Sequence, residues 1–276
     1  MFTLNCNGRL LVIDRPLVMG ILNCTPDSFY SVSRTSHTTD LIERAGQMIR
    51  EGASILDLGG QSTRPGSIRL SQEEERLRVI PAIQAVRHAY PELFISIDTF
   101  YASIAKEAIL SGADLVNDIS SGDLDPNMLA TVGQLNVPYI TMHMKGTPET
   151  MQEKARYDSV ELEVMDYFIK KKHACEQAGI KDLIIDPGFG FGKTPQHNLR
   201  LLQQLQIFNQ FKTPILIGLS RKSTICKILQ VQPEEALNGT TVLNTVALLK
   251  GAHILRVHDV KEAKEAILLT EALKSA

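Results

Sequence analysis

Short apolar runs and amphipathic stretches alternate along most of the chain. After Pro16 each apolar run is followed by a polar loop and then by a segment whose apolar residues recur at helical spacing. Parallel strands need helical crossovers, and a closed sheet has no exposed edge. The pattern therefore predicts an α/β protein with a (β/α)8 TIM barrel, whose strands would cover residues 17–22, 55–58, 93–97, 115–116, 137–142, 183–185, 215–219 and 254–257.

The residues before Pro16 follow a different pattern. Residues 2–13 form two apolar stretches divided by Asn7-Gly8, a dipeptide that two-residue hairpin turns favour. We therefore expect a short N-terminal β-hairpin within residues 1–14. No charge block or low-complexity segment marks a linker, and one barrel commonly takes about 200–250 residues. Residues 1–276 are accordingly interpreted as a single domain.

Composition and charge argue against several classes of protein. The net charge of -2 disfavours nucleic-acid binding through bulk electrostatics. The four cysteines are scattered without CxxC spacing, so we interpret them as reduced thiols rather than zinc ligands or disulfides. No stretch approaches the roughly 18 apolar residues of a membrane helix, and the N-terminus lacks signal-peptide features. We expect a cytoplasmic protein.

A polar or charged residue ends each apolar run or lies in the loop that follows it. In the stretch LIIDPGFGFGKT, Asp186 ends a run and is followed by a proline and three alternating glycines. Any one such residue could equally be a helix cap or a satisfied buried polar group. In a barrel, however, all the strand ends meet at one face, where active sites of this fold lie. The residues concerned are Asn23, Arg64, Asp98, Asn117, His143, Asp186, Lys222, Arg256 and His258.

These converging groups divide into two chemical sets. Carboxylates, an amide and an ammonium together suit the edge of a nitrogen heterocycle, and here they are Asp98, Asn117, Asp186 and Lys222. Guanidinium and imidazole groups suit a phosphate or diphosphate, and here they are Arg64, Arg256 and His258, with Asn23 beside them. The Gly-Lys spacing of GFGFGKT is wrong for a P-loop, and no G-x-S-x-G elbow occurs. A transition-metal pair of His143 and His258 is a weaker alternative, because no His-x-x-x-His spacing is present.

Seven stretches, in order over nearly the whole chain, carry a family resemblance. They are MGILNCTPDSF (19–29), DLGGQSTRPGS (57–67), SIDT (96–99), VNDIS (116–120), IIDPGFGFGKT (184–194), GLSRKS (218–223) and RVHDV (256–260). With them the chain resembles the dihydropteroate synthase family. The resemblance implies a TIM-barrel transferase of folate biosynthesis, which condenses 6-hydroxymethyl-7,8-dihydropterin diphosphate with p-aminobenzoate to 7,8-dihydropteroate and diphosphate. It also implies a Mg2+ cofactor, a cytoplasmic and commonly dimeric enzyme, and inhibition by sulfonamides.

The same resemblance implies roles for individual residues. The pterin would be bound by Asp98, Asn117, Asp186, Lys222 and Arg256. The diphosphate would be bound by Asn23, Arg64, Arg256 and His258, with Asn23 also the Mg2+ ligand. The p-aminobenzoate would be bound by Thr63, Pro65, Phe191 and Ser223, and the catalytic residues would be Arg64, Lys222 and Asp98. In this family diphosphate is regarded as leaving before the aniline nitrogen attacks.

Two departures from the family pattern leave alternatives open. The family usually continues TPDSF with Ser-Asp-Gly-Gly, whereas residues 30–33 here are YSVS, and Gln61 stands where Glu is common. Both changes lie in loops expected to order around substrate, so they bear on closure and rate. One alternative is a pterin-binding protein without turnover. The other is a methyltetrahydrofolate-dependent methyltransferase on the same barrel, which would need no diphosphate-binding residues.

Overall fold

The computed structural model describes residues 1–24, 34–61, 69–147, 150–151 and 154–276, with the side chains of residues 34–37 left aside. Within these ranges the strands are β1 (Phe2–Cys6), β2 (Arg9–Ile13), β3 (Leu17–Asn23), β4 (Ile55–Gly59), β5 (Phe94–Asp98), β6 (Leu115–Asp118), β7 (Tyr139–Met142), β8 (Leu183–Asp186), β9 (Leu216–Ile217) and β10 (Ile254–Val257). Each of the eight predicted runs overlaps one of the strands from β3 to β10.

These eight strands form a parallel sheet that closes on itself. Their order is β8-β7-β6-β5-β4-β3-β10-β9. A parallel bridge between Ile185 and Ile215 joins the two ends, where the Ile185 N–H donates to the Pro214 carbonyl at 3.0 Å. The predicted (β/α)8 barrel is therefore confirmed.

Helices cover the outside of the barrel. In the described residues they are α1 (Arg34–Glu51), α2 (Gln72–Ala89), α3 (Ala102–Leu110), α4 (Met128–Leu135), α5 (Val160–Gln177), α6 (Pro195–Gln203), α7 (Ser223–Leu229), α8 (Leu237–Leu249) and α9 (Val260–Ser275), with 3-10 turns at Leu205–Phe211 and Pro233–Glu235. Strands and helices share a continuous apolar core, which includes Leu58, Ile97, Phe168 and Phe208. None of the described helices is long and apolar enough to cross a membrane.

The predicted N-terminal hairpin is present, and it closes the end of the barrel opposite the carboxyl ends of the strands. Strands β1 and β2 pair antiparallel, and the turn residues Asn7 and Gly8 have φ values of 52° and 85°, as a type I′ turn requires. The buried face of the hairpin packs against a layer of barrel residues that includes Met19, Ile140 and Ile254. The carboxyl ends of the strands are therefore the end of the barrel left for a site.

Candidate active site

Most of the site residues predicted from the sequence lie at the carboxyl ends of the strands. Asn23, Asp98 and Asp186 end β3, β5 and β8. The strand register places Asn23 level with Gly59, Gly59 level with Asp98, and Asp98 level with Asn117. Three further predicted residues follow or belong to the last strands and are Lys222, Arg256 and His258. The predicted residues Thr63, Arg64 and Pro65, and the altered stretch at residues 30–33, lie outside the described residues.

A buried charge network joins opposite sides of the barrel end. The Arg256 Nε donates to Asp57 Oδ2 at 2.6 Å, and its Nη2 donates to Asp98 Oδ2 at 2.5 Å. The Asn117 amide also donates to Asp57 Oδ2, at 2.9 Å. Although burial lowers the pKa of Arg256, the two carboxylates raise it, so the guanidinium stays charged. Asp57, at 1% exposure, is thus the centre that orients two predicted pterin ligands.

Asp57 was not among the residues predicted for the site. The sequence signal was a carboxylate in the middle of an apolar run, and burying a charge is costly unless it is paired. Its partner Arg256 lies 199 positions away along the chain. The sequence alone therefore showed that Asp57 needed a partner without showing which one.

Burial shifts the titration of the other polar groups at this end of the barrel. Burial raises the pKa of Asp98, and the positive charge of Arg256 opposes that rise. Burial also raises the pKa of Asp186, which the Gly188 N–H and the charge of Lys222 oppose. Burial and the neighbouring Arg256 lower the pKa of Lys222 to about 8. The site is thus a poorly solvated region in which hydrogen bonds to a ligand carry more energy than in water.

The loop after β8 has a conformation that its glycines explain. Asp186 Oδ1 accepts a 2.7 Å hydrogen bond from the Gly188 N–H, so one carboxylate oxygen serves the local turn. A Cβ at Gly188 would lie 1.9 Å from the His143 carbonyl oxygen, and one at Gly192 would lie 2.8 Å from that of Lys145. Glycines here would also allow a close approach of backbone to a ligand, but at Gly188 and Gly192 the close approach is to the protein's own backbone.

The two phenylalanines of this loop have different surroundings. Phe189 is 1% exposed and packs in the main core between strands and helices. Phe191 belongs to a separate cluster at the barrel end, with Phe100, Met142 and others. The Lys222 ammonium lies 4.1 Å from the centre of the Phe191 ring. Phe191 and Lys222, two predicted ligands of different substrates, are therefore neighbours, and Ser223 begins the helix that follows Lys222.

His258 is held by Ser220 at the other side of the site. The Ser220 hydroxyl oxygen accepts from the His258 backbone N–H at 3.2 Å and lies 3.1 Å from His258 Nδ1. If the Ser220 hydroxyl donates its hydrogen bond to Nδ1, the neutral ring carries its proton on Nε2, and Nε2 then serves as a donor. The adjacent Arg221 binds Asp259 through two nitrogens, at 3.0 and 2.5 Å, and so ties together the loops after β9 and β10.

Metal ligands are few at this end of the barrel. In the part of the chain that the structure describes, no group of three or more His, Cys, Asp or Glu residues is placed to hold a metal ion. Asn23 supplies a half-buried amide at the end of β3. His143, the weaker candidate for a metal ligand, points Nδ1 at the Lys193 ammonium 2.9 Å away.

Comparisons with known proteins identify the family of the chain. The pterin binding enzyme family matches residues 19–258. The chain is 46% identical to the dihydropteroate synthase of Escherichia coli over 271 residues. This alignment covers 98% of the chain and 95% of that protein.

Solved structures give the same result. A Yersinia pestis dihydropteroate synthase in complex with a sulfonamide drug superposes with a TM-score of 0.93 and 39% identity, covering 100% of both chains. A Xanthomonas albilineans dihydropteroate synthase with 4-aminobenzoic acid gives 0.91 and 38%, covering 99% of this chain and 98% of that one. On the match along its length and on the barrel it forms, the chain belongs to the pterin-binding enzymes and, among them, to the dihydropteroate synthase family.

Proposed function

We propose that this transferase condenses 6-hydroxymethyl-7,8-dihydropterin diphosphate with p-aminobenzoate, giving 7,8-dihydropteroate and diphosphate for folate biosynthesis. The observation that carries the proposal is the set of buried carboxylates and an amide near the carboxyl ends of the strands, in which Arg256 binds Asp57 and Asp98, and Asp57 binds Asn117. The identity to relatives that bear this activity in their names supports it. So does the 4-aminobenzoic acid bound to the Xanthomonas albilineans enzyme.

The pterin ring is bound by residues with a free hydrogen-bonding atom. Asn117 uses its amide nitrogen on Asp57, which leaves its carbonyl oxygen to accept from a ring N–H. Asp186 uses Oδ1 on Gly188, which leaves Oδ2 to accept from the amino group and a neighbouring N–H of the pterin. Lys222 donates from the opposite side to a ring oxygen or nitrogen. This division of donors and acceptors matches the amino-pyrimidinone edge of a pterin.

The diphosphate is bound at the other part of the site. Arg64, Arg256 and His258 supply charged or N–H donors to its oxygens. Arg256 uses Nε and Nη2 on the carboxylates, which leaves Nη1 to donate to an anion. Asn23 would be the protein ligand of Mg2+, an ion that takes most of its ligands from water and substrate phosphates. When bound, Mg2+ would neutralise charge on the diphosphate.

Catalysis then depends on positioning and on charge. The bond between the pterin methylene carbon and the diphosphate oxygen breaks, and the donors around the anion stabilise the charge that develops there. The aniline nitrogen of p-aminobenzoate attacks the methylene carbon and loses a proton. Phe191, Ser223, Thr63 and Pro65 hold this second substrate, and Lys222 lies between the two substrates. Asp98 holds Arg256 and binds the pterin. Together with Arg64, which binds the diphosphate, and Lys222, which lies between the substrates, it should contribute most to the rate.

Three further properties stay predictions. Sulfonamides would compete with p-aminobenzoate, as expected from the drug bound to the Yersinia pestis enzyme. A homodimer would use the outer surface of α7, α8 and α9, where large apolar side chains are exposed, namely Ile228, Leu229, Val242, Leu249, Leu268, Leu269 and Leu273. A cytoplasmic location follows from the resemblance.

The test is an assay of diphosphate release with both substrates present. Release that depends on p-aminobenzoate, with dihydropteroate found by mass spectrometry, is the expected result. Tight pterin binding without turnover would instead favour a pterin-binding protein that has lost activity. The altered residues 30–33 are the reason for considering this alternative. Methyl transfer from methyltetrahydrofolate to a corrinoid would refute the proposal.

A further inference from the structure

Lys193 is a buried lysine with no role in the site described above, and burial lowers its pKa to about 7. Its side chain is 3% exposed. None of the salt bridges between described residues involves it. A buried charge is costly unless other groups replace the lost water. What surrounds the ammonium must therefore account for its position.

The Lys193 ammonium is surrounded by acceptors from two loops. Its Nζ lies 2.9 Å from the Gly188 carbonyl oxygen, 3.1 Å from that of Phe191 and 3.2 Å from that of His143. The fourth contact is His143 Nδ1, at 2.9 Å. Burial and the charge of Lys193 lower the pKa of His143 strongly, so the ring is neutral and Nδ1 is the acceptor. Lys193 thus binds the start of the loop after β7 to the loop after β8.

This contact holds two carbonyls of the segment that carries the Phe191 ring. Residues 188–192 turn through three glycines with positive φ, and Phe189 anchors the segment in the main core. Two of its carbonyls point inward at one ammonium, and the Phe191 ring is directed outward against Lys222, 4.1 Å from Nζ to the ring centre. On the far side, Asn198 accepts from the Gly190 N–H at 3.0 Å and donates to Thr224 Oγ1 at 2.8 Å.

We propose that Lys193 is a positioning residue for the second substrate: by binding the carbonyls of Gly188 and Phe191, it fixes the Phe191 ring as a wall of the p-aminobenzoate pocket beside Lys222. The proposal rests on the proposed function for the identity of that substrate. Its effect on the pterin should be smaller, because the pterin ligands Asn117 and Asp98 stand on strands that Lys193 does not contact, and only its charge reaches the pterin ligand Asp186. Loss of Lys193 should therefore affect the two substrates unequally.

The first measurement reports the loop without any activity. The chain contains no tryptophan, so Phe191→Trp places a single indole on the segment. Adding Lys193→Met, which keeps an unbranched apolar stem, should raise acrylamide quenching of that indole about threefold, because three carbonyls lose their donor and the loop opens locally. The matched control is Lys171→Met, since Lys171 donates to the Ser121 carbonyl at 2.8 Å with its side chain 12% exposed and has no hydrogen bond or ion pair to residues 188–192 in the described structure. Equal quenching with and without Lys193 would overturn the proposal.

The second measurement separates the two substrates on the native Phe191 background. Lys193→Met should raise KM for p-aminobenzoate about tenfold, and change the Kd of the pterin diphosphate, measured by calorimetry, by a smaller factor of about threefold or less. An unchanged KM, or equal factors for both substrates, would refute the assignment. If Lys193→Met does not fold, His143→Leu removes one of the four contacts and should shift quenching and KM in the same direction by less. A wild-type protein that releases no diphosphate would refute the proposed function, while quenching would still decide the role of Lys193.

Discussion

Glu75 in α2 is a buried carboxyl group whose replacement should change the pH dependence of stability. Its side chain is 0% exposed, and neither carboxyl oxygen has a hydrogen-bond partner in the described structure. It lies beneath the turn that follows β4, where a Cβ on Gly60 would come within 3.1 Å of its Cγ. Burial raises its pKa from 4.5 to about 7, and Thr99, Arg69 and Arg78 oppose that rise only in part.

The sign and size of the effect follow from linkage. Between pH 4.5 and about 7 the folded protein keeps a proton on Glu75 that the unfolded chain has released. Stability contributed by this group is therefore fully present below the unfolded pKa and is lost as pH rises through that window. A pKa difference of this size corresponds to roughly 2–3 kcal/mol between pH 5 and pH 8. Glu75→Gln, which keeps the shape without a titrating proton, should gain that much relative to wild type over the same interval.

Urea unfolding at pH 5 and pH 8, followed by circular dichroism, measures the difference. The slope of free energy against urea must be the same in both proteins for the comparison to hold. Glu73→Gln is the matched control: this carboxylate lies on the same helix, is exposed and pairs with Arg76, so the variant should show no gain with pH. A Glu75→Gln advantage that is equal at both pH values would refute the reasoning, because Glu75 would then be ionised at little cost in the folded state.

Three other predictions concern the site. Asp186→Asn should weaken binding of a pterin by about 1–3 kcal/mol in calorimetry, because a charged acceptor is lost in a buried site; unchanged affinity would contradict its role. Because the pKa of Lys222 is about 8, pterin affinity should fall as pH rises through that value and the ammonium loses its charge, and Lys222→Arg should show no such fall between about pH 7 and 9. Asp57→Asn should lower kcat/KM for diphosphate release by roughly 10–100-fold, since Arg256 and Asn117 lose a shared charged acceptor. The control is Asp123→Asn, at an exposed carboxylate. A loss in Asp57→Asn no larger than in the control would contradict the role of Asp57.

Local features of the chain were predicted well because they depend on local physics. The hairpin turn at Asn7-Gly8 needs two residues that accept positive φ, and the sequence supplies them. The capping box at the start of α2 is present, with the Ser71 N–H donating to Glu74 Oε2 at 2.9 Å. The apolar face of the first helix predicts a start at about Asp40 with Asp40 as its N-cap, and this prediction is wrong, since α1 begins at Arg34. The apolar face of a helix does not determine where its hydrogen bonding starts.

Strand lengths show where sequence reasoning stops. Residues 215–219 are a continuous apolar run, yet β9 covers Leu216–Ile217. Burial determines the run, whereas a strand needs a neighbour at the right distance, and that neighbour is β10 or β8 from elsewhere in the chain. The same limit hid the roles of Asp57, Glu75 and Lys193. Each has partners or surroundings contributed by another element, and no spacing along the chain encodes them.

The short β9 also has a consequence for the time scale on which the barrel opens. It pairs with β10 at two positions and meets β8 through the single Ile185–Ile215 bridge, whereas β3 and β4 pair at five positions. Amide hydrogens at residues 183–186 and 215–217 should therefore exchange with deuterium through a low-energy local opening, ahead of those in β3 to β5. Asp186 ends β8, and Lys222 lies in the loop after β9. A pterin bound by both residues would connect these two weakly paired strands, so it should slow deuterium exchange at residues 183–186 and 215–217 first.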